Sequence, residues 1–177
     1  MRPIFFSFFF LLFFLTFHTI TTQDLINATC KKCAQNDPNL SYNFCVNSLQ
    51  AAPNSHRANL RKLGTISIKL IENNVTDTTS FINVLMRNKK LDPFERACLN
   101  DCLELYSDAI TTVKKAIKGY QSKQYDDANI ELSSVMDAST TCEDGFKEEY
   151  VVSPLAKRNS ATFQLSAIAL SITNMLR

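Results

Sequence analysis

The chain has 177 residues, with 19 basic and 17 acidic side chains, two histidines, six cysteines, three glycines and no tryptophan. A formal net charge of +2 gives no support for a nucleic-acid partner or for strong attraction to polyanions. Scarce glycine and the absence of apolar–polar alternation leave no basis for a β architecture.

Residues 1–22 do not read as part of the fold. Arg2 is followed by an apolar run over 4–15, extended by Phe17, and then by polar Thr19, Thr21, Thr22 and Gln23. A basic start, about 7–15 apolar residues and a polar junction describe a secretory signal peptide, whereas a membrane span needs about 18 or more apolar residues. Cleavage is expected near Thr22 or Gln23, with no membrane segment in the mature chain. That chain, 23–177, has 155 residues and, with Arg2 gone, 18 basic against 17 acidic side chains. Eight of the 13 phenylalanines leave with the leader, so the apolar content of the mature chain is lower than the whole sequence suggests. It is still one domain, able to bury roughly 70% of its surface. All six cysteines remain, and secretion makes disulfides the expectation while leaving the pairing open.

Residues 24–33 form a short amphipathic segment with Leu25, Ile26 and Thr29 on one side. Asn36-Asp37-Pro38 turns the chain, and Asp37 is placed to cap a second short helix with Tyr42, Cys45, Val46 and Leu49 inward. A bridge between Cys30 and Cys45 would clamp these pieces, residues 23–52, into a hairpin. Pro53-Asn54-Ser55 breaks the chain again. Leu60, Leu63, Ile66, Leu70 and Ile71 then mark a helix over 55–73, and Phe81, Ile82, Leu85 and Met86 resume the pattern. The polar, β-branched run over 72–77 between them favours a bend or loop.

The longest element is expected over 92–118. Leu99, Cys102, Leu103, Tyr106, Ala109, Ile110, Val113, Ala116 and Ile117 recur at threes and fours, giving one broad apolar stripe. Asp92 suits the N-cap, Pro93 the first helical position, and Gly119 the stop. A further stripe runs from Tyr125 through Ala128, Leu132, Val135 and Met136 to Cys142, reaching towards Phe146. The last spans 159–175 with Phe163, Leu165, Ile168, Ala169, Ile172 and Met175. Four amphipathic segments over 55–177 joined by short turns imply an all-α, up-and-down four-helix bundle behind an N-terminal helical hairpin.

Nothing in the chain points to catalysis. It has no glycine-rich phosphate loop, nucleophile elbow or His-Glu-x-x-His, and the acid pairs Asp126-Asp127 and Glu143-Asp144 fit solvated helix faces. Cys30-x-x-Cys33 is half a zinc site without its other half, and His56 is the only mature histidine. Neither metal nor cofactor is expected. Asn27, Asn39 and Asn74 each begin a glycosylation sequon, and Asn74 falls at the expected bend. The apolar stripes read as bundle core, the rival being a lipid or small-ligand cavity, as in a storage-type helical protein.

The N-terminal Cys30…Cys45 hairpin and four later stretches together resemble the plant invertase and pectin methylesterase inhibitor family. The four stretches are Leu99-Asn100-Asp101-Cys102-Leu103-Glu104-Leu105-Tyr106-Ser107-Asp108-Ala109, Tyr125-Asp126-Asp127-Ala128-Asn129, Thr141-Cys142-Glu143-Asp144-Gly145-Phe146 and Ser153-Pro154-Leu155-Ala156-Lys157-Arg158-Asn159. The resemblance runs in order through the whole mature chain. Within the family the chain is similar to plane-tree pollen allergens described as invertase inhibitors, which implies IgE as a further binding partner. The resemblance also implies disulfides Cys30–Cys45 and Cys102–Cys142. Cys33 and Cys98 depart from the usual four-cysteine pattern, as buried thiols, a third bridge or sites of covalent dimerisation.

The resemblance implies a secreted inhibitor of the apoplast, cell wall or vacuole, with a plant invertase or a pectin methylesterase as partner. Invertase inhibitors of the family carry Pro-Lys-Phe just before the third bundle helix. The matching place here is Lys123-Gln124-Tyr125, without the proline, with lysine displaced by one and with tyrosine for phenylalanine. A cation beside an aromatic suits an acid-lined sugar cleft. Methylesterase inhibitors use an outer face of the central helices, which points to Asp108, Thr111, Thr112, Lys115 and Lys118.

Overall fold

The computed structural model describes residues 22–177, and among them every regular element is helical. Two short helices, α1 (Thr22–Asn36) and α2 (Tyr42–Ala51), are followed by a 3₁₀ turn (Ser55–Arg57) and four long helices. The long helices are α3 (Leu60–Met86), α4 (Pro93–Gln121), α5 (Tyr125–Glu148) and α6 (Ala156–Asn174). The expected leader lies outside the described residues except for Thr22, with which α1 opens. Each long helix packs on its sequence neighbour and α6 closes on α3, giving the up-and-down four-helix bundle.

The start of α4 follows local chemistry. Asp92 Oδ1 accepts from the amides of Phe94 and Glu95 at 2.9 and 3.4 Å, and Pro93 takes the first turn. Its stripe meets α3, α5 and α6 in a filled interior. Leu99, Tyr106, Val113, Leu132 and Phe146 are fully buried there, and Tyr120 is 1% exposed. Cys102 and Cys142 join α4 to α5 by a disulfide with Cα atoms 4.9 Å apart, and Cys30 and Cys45 join α1 to α2 at 5.6 Å.

Three expectations need correction. The bend over 72–77 is absent, because α3 runs unbroken through it. The Thr76 and Thr79 hydroxyls donate to the carbonyls of Glu72 and Val75 at 2.7 and 2.8 Å, so these two hydroxyls are satisfied within the helix. Val75, Thr78 and Ile82 are meanwhile buried in the bundle, and this packing overrides weak local propensity. Asn74 therefore lies in mid-helix, half-buried, with Oδ1 accepting from Thr162 at 2.5 Å. Second, Asp37 does not cap α2. It folds the turn by accepting from the Asn39 amide at 2.9 Å, and Ser41 is the N-cap. Third, Asn59 caps α3 through the Lys62 amide, so residues 55–57 stay outside that helix.

The hairpin is not a loose appendage. It packs mainly on α6, where Ala167, Ile168 and Ile172 join Ile26, Cys30, Cys33, Cys45 and Leu49 in a second core. The Gln164 side chain donates to the Asn39 carbonyl at 2.8 Å and accepts from the Ser41 amide at 2.9 Å, clamping the hairpin turn. Leu165 and Ala169 of α6 face the opposite way, into the bundle. A helix covered on both sides has no single polar face, which is why Ser166, Thr162 and Thr173 are buried too. Cys33 and Cys98 are both unbridged and buried. They lie in different cores, Cys33 in the hairpin and Cys98 between α4 and α5, where its thiol lies 3.6 Å from the Gly145 carbonyl.

A buried polar network ties all four bundle helices together. The Tyr106 hydroxyl of α4 donates to Asn159 Oδ1 of α6 at 2.7 Å and lies 3.1 Å from Thr162 Oγ1. Thr162 donates to Asn74 of α3, and Asn159 Nδ2 donates to Glu143 Oε2 of α5 at 2.7 Å. Burial pushes the Tyr106 phenol up to about 12, with Thr162 opposing and Glu143 adding to the shift. Such a satisfied network specifies one register of the four helices, because any slip would strand buried polar groups.

Candidate functional site

The end of α4 and the start of α5 form a braced tip. Gly119 does not stop α4, which continues to Gln121. Its role is close approach: a Cβ there would lie 3.2 Å from the Ala128 amide nitrogen and 3.3 Å from the Gln124 carbonyl oxygen. The chain then reverses through Lys123 in the left-handed region, at φ 60°. The amide of Lys123 donates to the Tyr120 carbonyl at 3.1 Å and that of Gln124 to the Gly119 carbonyl at 2.9 Å, the paired bonds of a Schellman motif.

Tyr120 holds this turn from beneath. Its ring meets Tyr125 edge-on at 5.4 Å, and its hydroxyl donates to the Arg61 carbonyl at 3.0 Å. The Arg61 guanidinium returns a bond to the Gln121 carbonyl at 2.9 Å. Gly64 makes room for the Tyr120 hydroxyl, since a Cβ would overlap it and lie 2.5 Å from Cζ. Burial, together with the neighbouring Tyr125, raises the Tyr120 phenol above its ordinary range. From the far side, Arg177 pairs with Asp126, and the Asn129 amide donates to Asn174 Oδ1 at 2.8 Å.

On this support Lys123 and Gln124 stand exposed, while Tyr125 is half-buried against Tyr120. On α4, Asp108, Thr111, Lys115 and Lys118 are exposed and Thr112 is half-buried, its hydroxyl donating to the Asp108 carbonyl at 3.0 Å. Lys115, Lys118 and Gln124 line one shallow groove of about 350 Å³ with Asp127, Ile130 and Glu131. The two surfaces singled out in the sequence are therefore continuous. Ile130, 66% exposed, puts an apolar side chain beside the cations. The sequence reading missed Tyr120, Gly64 and Ile130. The threefold and fourfold spacing from Val113 and Ala116 to Tyr120 was the available signal, obscured by reading Gly119 as a stop.

The other candidate residues have structural surroundings. Glu143 is taken up by Asn159, Asp144 pairs with Lys147, and His56 is exposed in the 3₁₀ turn. Among the described residues no cluster of three or more metal-ligating side chains occurs, and no helix is long and apolar enough to cross a membrane. Asn39 is exposed in the hairpin turn and Asn27 half-buried on α1.

The sequence profile of the family described as "Plant invertase/pectin methylesterase inhibitor" matches residues 24–172. The chain belongs to this family. Among its relatives is a protein from Platanus acerifolia named "Putative invertase inhibitor", 44% identical over 169 residues, covering 95% of this chain and 94% of that one. "Pectinesterase inhibitor 12" from Arabidopsis thaliana is 37% identical over 157 residues, covering 88% and 90%. The fold matches the crystal structure of a mutant form of a pectin methylesterase inhibitor from Arabidopsis with a TM-score of 0.71 and 24% identity, covering 83% of this chain and 97% of that one. Members of the family are inhibitor proteins rather than enzymes, so binding geometry rather than a reaction centre is the relevant property of this inhibitor-family chain.

Proposed function

We propose that the chain is a secreted inhibitor that blocks the active-site cleft of a plant invertase (β-fructofuranosidase), with Lys123, Gln124 and Tyr125 at the contact. The observation that carries this reading is the braced tip, which presents an exposed cation and an exposed amide on a turn whose backbone is fixed by Tyr120 and Arg61. The 44% identity to a relative named as an invertase inhibitor supports the choice of target. Obstruction of a cleft needs no chemistry, only a rigid surface of roughly 800 Å² on each partner. Pre-ordering by two disulfides and the polar network limits what binding must freeze out.

A second reading, inhibition of a pectin methylesterase, is favoured by the exposed α4 face. Lys115 and Lys118 share the groove with Gln124, so one footprint could shift along α4 to suit another cleft. The deciding experiment compares inhibition of an acid invertase and a pectin methylesterase by the oxidised mature chain and by Lys123→Ala/Tyr125→Ala. Loss of invertase inhibition in the double variant supports the tip. Unchanged inhibition rules it out as the contact, and selective inhibition of the methylesterase moves the footprint to Asp108, Thr111, Thr112, Lys115 and Lys118. In the same reading the chain acts in the apoplast or cell wall, glycosylated at Asn39, whose side chain is exposed.

A further inference from the structure

The near-neutral net charge conceals a segregation. Residues 51–71 and 109–125 contain no aspartate or glutamate. The fold lays these two stretches side by side as the first half of α3 and the second half of α4. The contact from Arg61 to the Gln121 carbonyl fixes their alignment. Lys114 stands about two turns before Gln121 on the face of α4 that meets α3, whereas Lys115 and Lys118 line the α4–α5 groove, whose other wall carries Asp127 and Glu131. Arg61, Lys62, Lys114, Lys115, Lys118 and Lys123 are all exposed. Among the described residues none of the six is in an ion pair. The first acid along α3, Glu72, is already paired with Lys69.

We propose that this strip of exposed cations across α3 and α4, two helix halves that carry no acid of their own, is a binding surface for a linear polycarboxylate, specifically a de-esterified, polyuronate segment of pectin. The shape argues for a polymer. The cations are spread along two helices, and the part of α4 from Lys114 to Gln121 alone spans roughly 10 Å at about 1.5 Å per residue. That array suits repeated charges better than one small anion. The chemistry argues for carboxylates on pectin, since hydrolysis of its methyl esters, the reaction of the methylesterase named in the family's description, leaves that anion on the chain. Holding the polymer would retain the protein where such carboxylates accumulate. It does not require the tip to contact an invertase.

The test is equilibrium binding of the oxidised chain to polygalacturonate over a salt series, beside highly methyl-esterified pectin, dextran and anionic phospholipid vesicles. Lys62→Gln/Lys114→Gln removes two strip cations outside the proposed enzyme contact, and Lys89→Gln/Lys90→Gln removes two from the α3–α4 loop at the opposite end. Expected is salt-sensitive binding to polygalacturonate alone, weakened about fivefold or more by the strip variant and less than about twofold by the loop variant. Enzyme inhibition and the melting curve should not change in the strip variant, which separates this idea from the inhibitor reading. Equal loss in both variants would reduce the effect to net charge and overturn the proposal. So would equal binding to methylated pectin or dextran, tighter binding to vesicles, or no binding at low salt.

Discussion

The two ends of the α4–α5 hairpin are secured in different ways. At one end Cys102–Cys142 links the helices covalently, Cys98 packs against Gly145, and Tyr106 enters a network reaching all four bundle helices. At the other, the tip depends on close approach at Gly119, on one buried tyrosine, and on backbone bonds around a strained lysine. The closed end spends its interactions on internal order. The tip is fixed by its backbone and buried side chains, which leaves Lys123 and Gln124 facing outward. A cleft-blocking protein needs both: a frame that does not yield, and a contact whose polar groups are not consumed by the frame.

The largest expected effect breaks the closed end. Replacing Cys102 and Cys142 with serine releases a loop of 40 residues, worth about 4 kcal/mol in the chain-entropy model. Urea denaturation should show a greater loss than the corresponding change at Cys30 and Cys45, whose separation is 15. A smaller loss would mean that packing, not the covalent link, secures this end.

The next effect appears in alkali. Below about pH 10 Tyr106 carries its proton in both states. Between there and about 12 the unfolded chain ionises first, because burial raises the folded phenol. The unfolded state then binds fewer protons, so stability falls as pH rises, by roughly 3 kcal/mol over two units. Tyr106→Phe should flatten that part of the decline in pH-dependent denaturation, while Tyr120, also raised by burial, remains to titrate.

At the tip, Gly64→Ala should cost about 2 kcal/mol by forcing Tyr120 out of its seat. Chemical denaturation measures the cost, and a neutral result would show that the ring moves freely. Smallest and opposite in sign is Lys123→Gly. It should stabilise by about 1 kcal/mol by relieving a left-handed backbone. The same change removes the exposed cation, so a more stable chain should be a weaker invertase inhibitor. Melting and inhibition assays on one sample separate the two effects.

Local sequence determined much of this molecule. Periodicity set the four long helices, the Asp92-Pro93 cap fixed the start of α4, and the motifs around Cys102 and Cys142 identified the family. What misled were signals whose meaning depends on neighbours. The run over 72–77 favours a break in an isolated chain, but burial of Val75, Thr78 and Ile82 holds it helical. Gly119 looks like a stop, yet it is small because α5 passes close by. Legibility of the candidate site was equally uneven. Lys123 to Tyr125 could be located by resemblance, whereas their bracing by Tyr120, Gly64 and Arg61 joins residues about 60 positions apart. The acid-free stretches were written in the sequence from the start, but as two separate intervals within a nearly neutral total. Only the antiparallel packing of α3 on α4 joins them into one surface, because the electrostatic potential depends on where charges sit in space and not on their order along the chain.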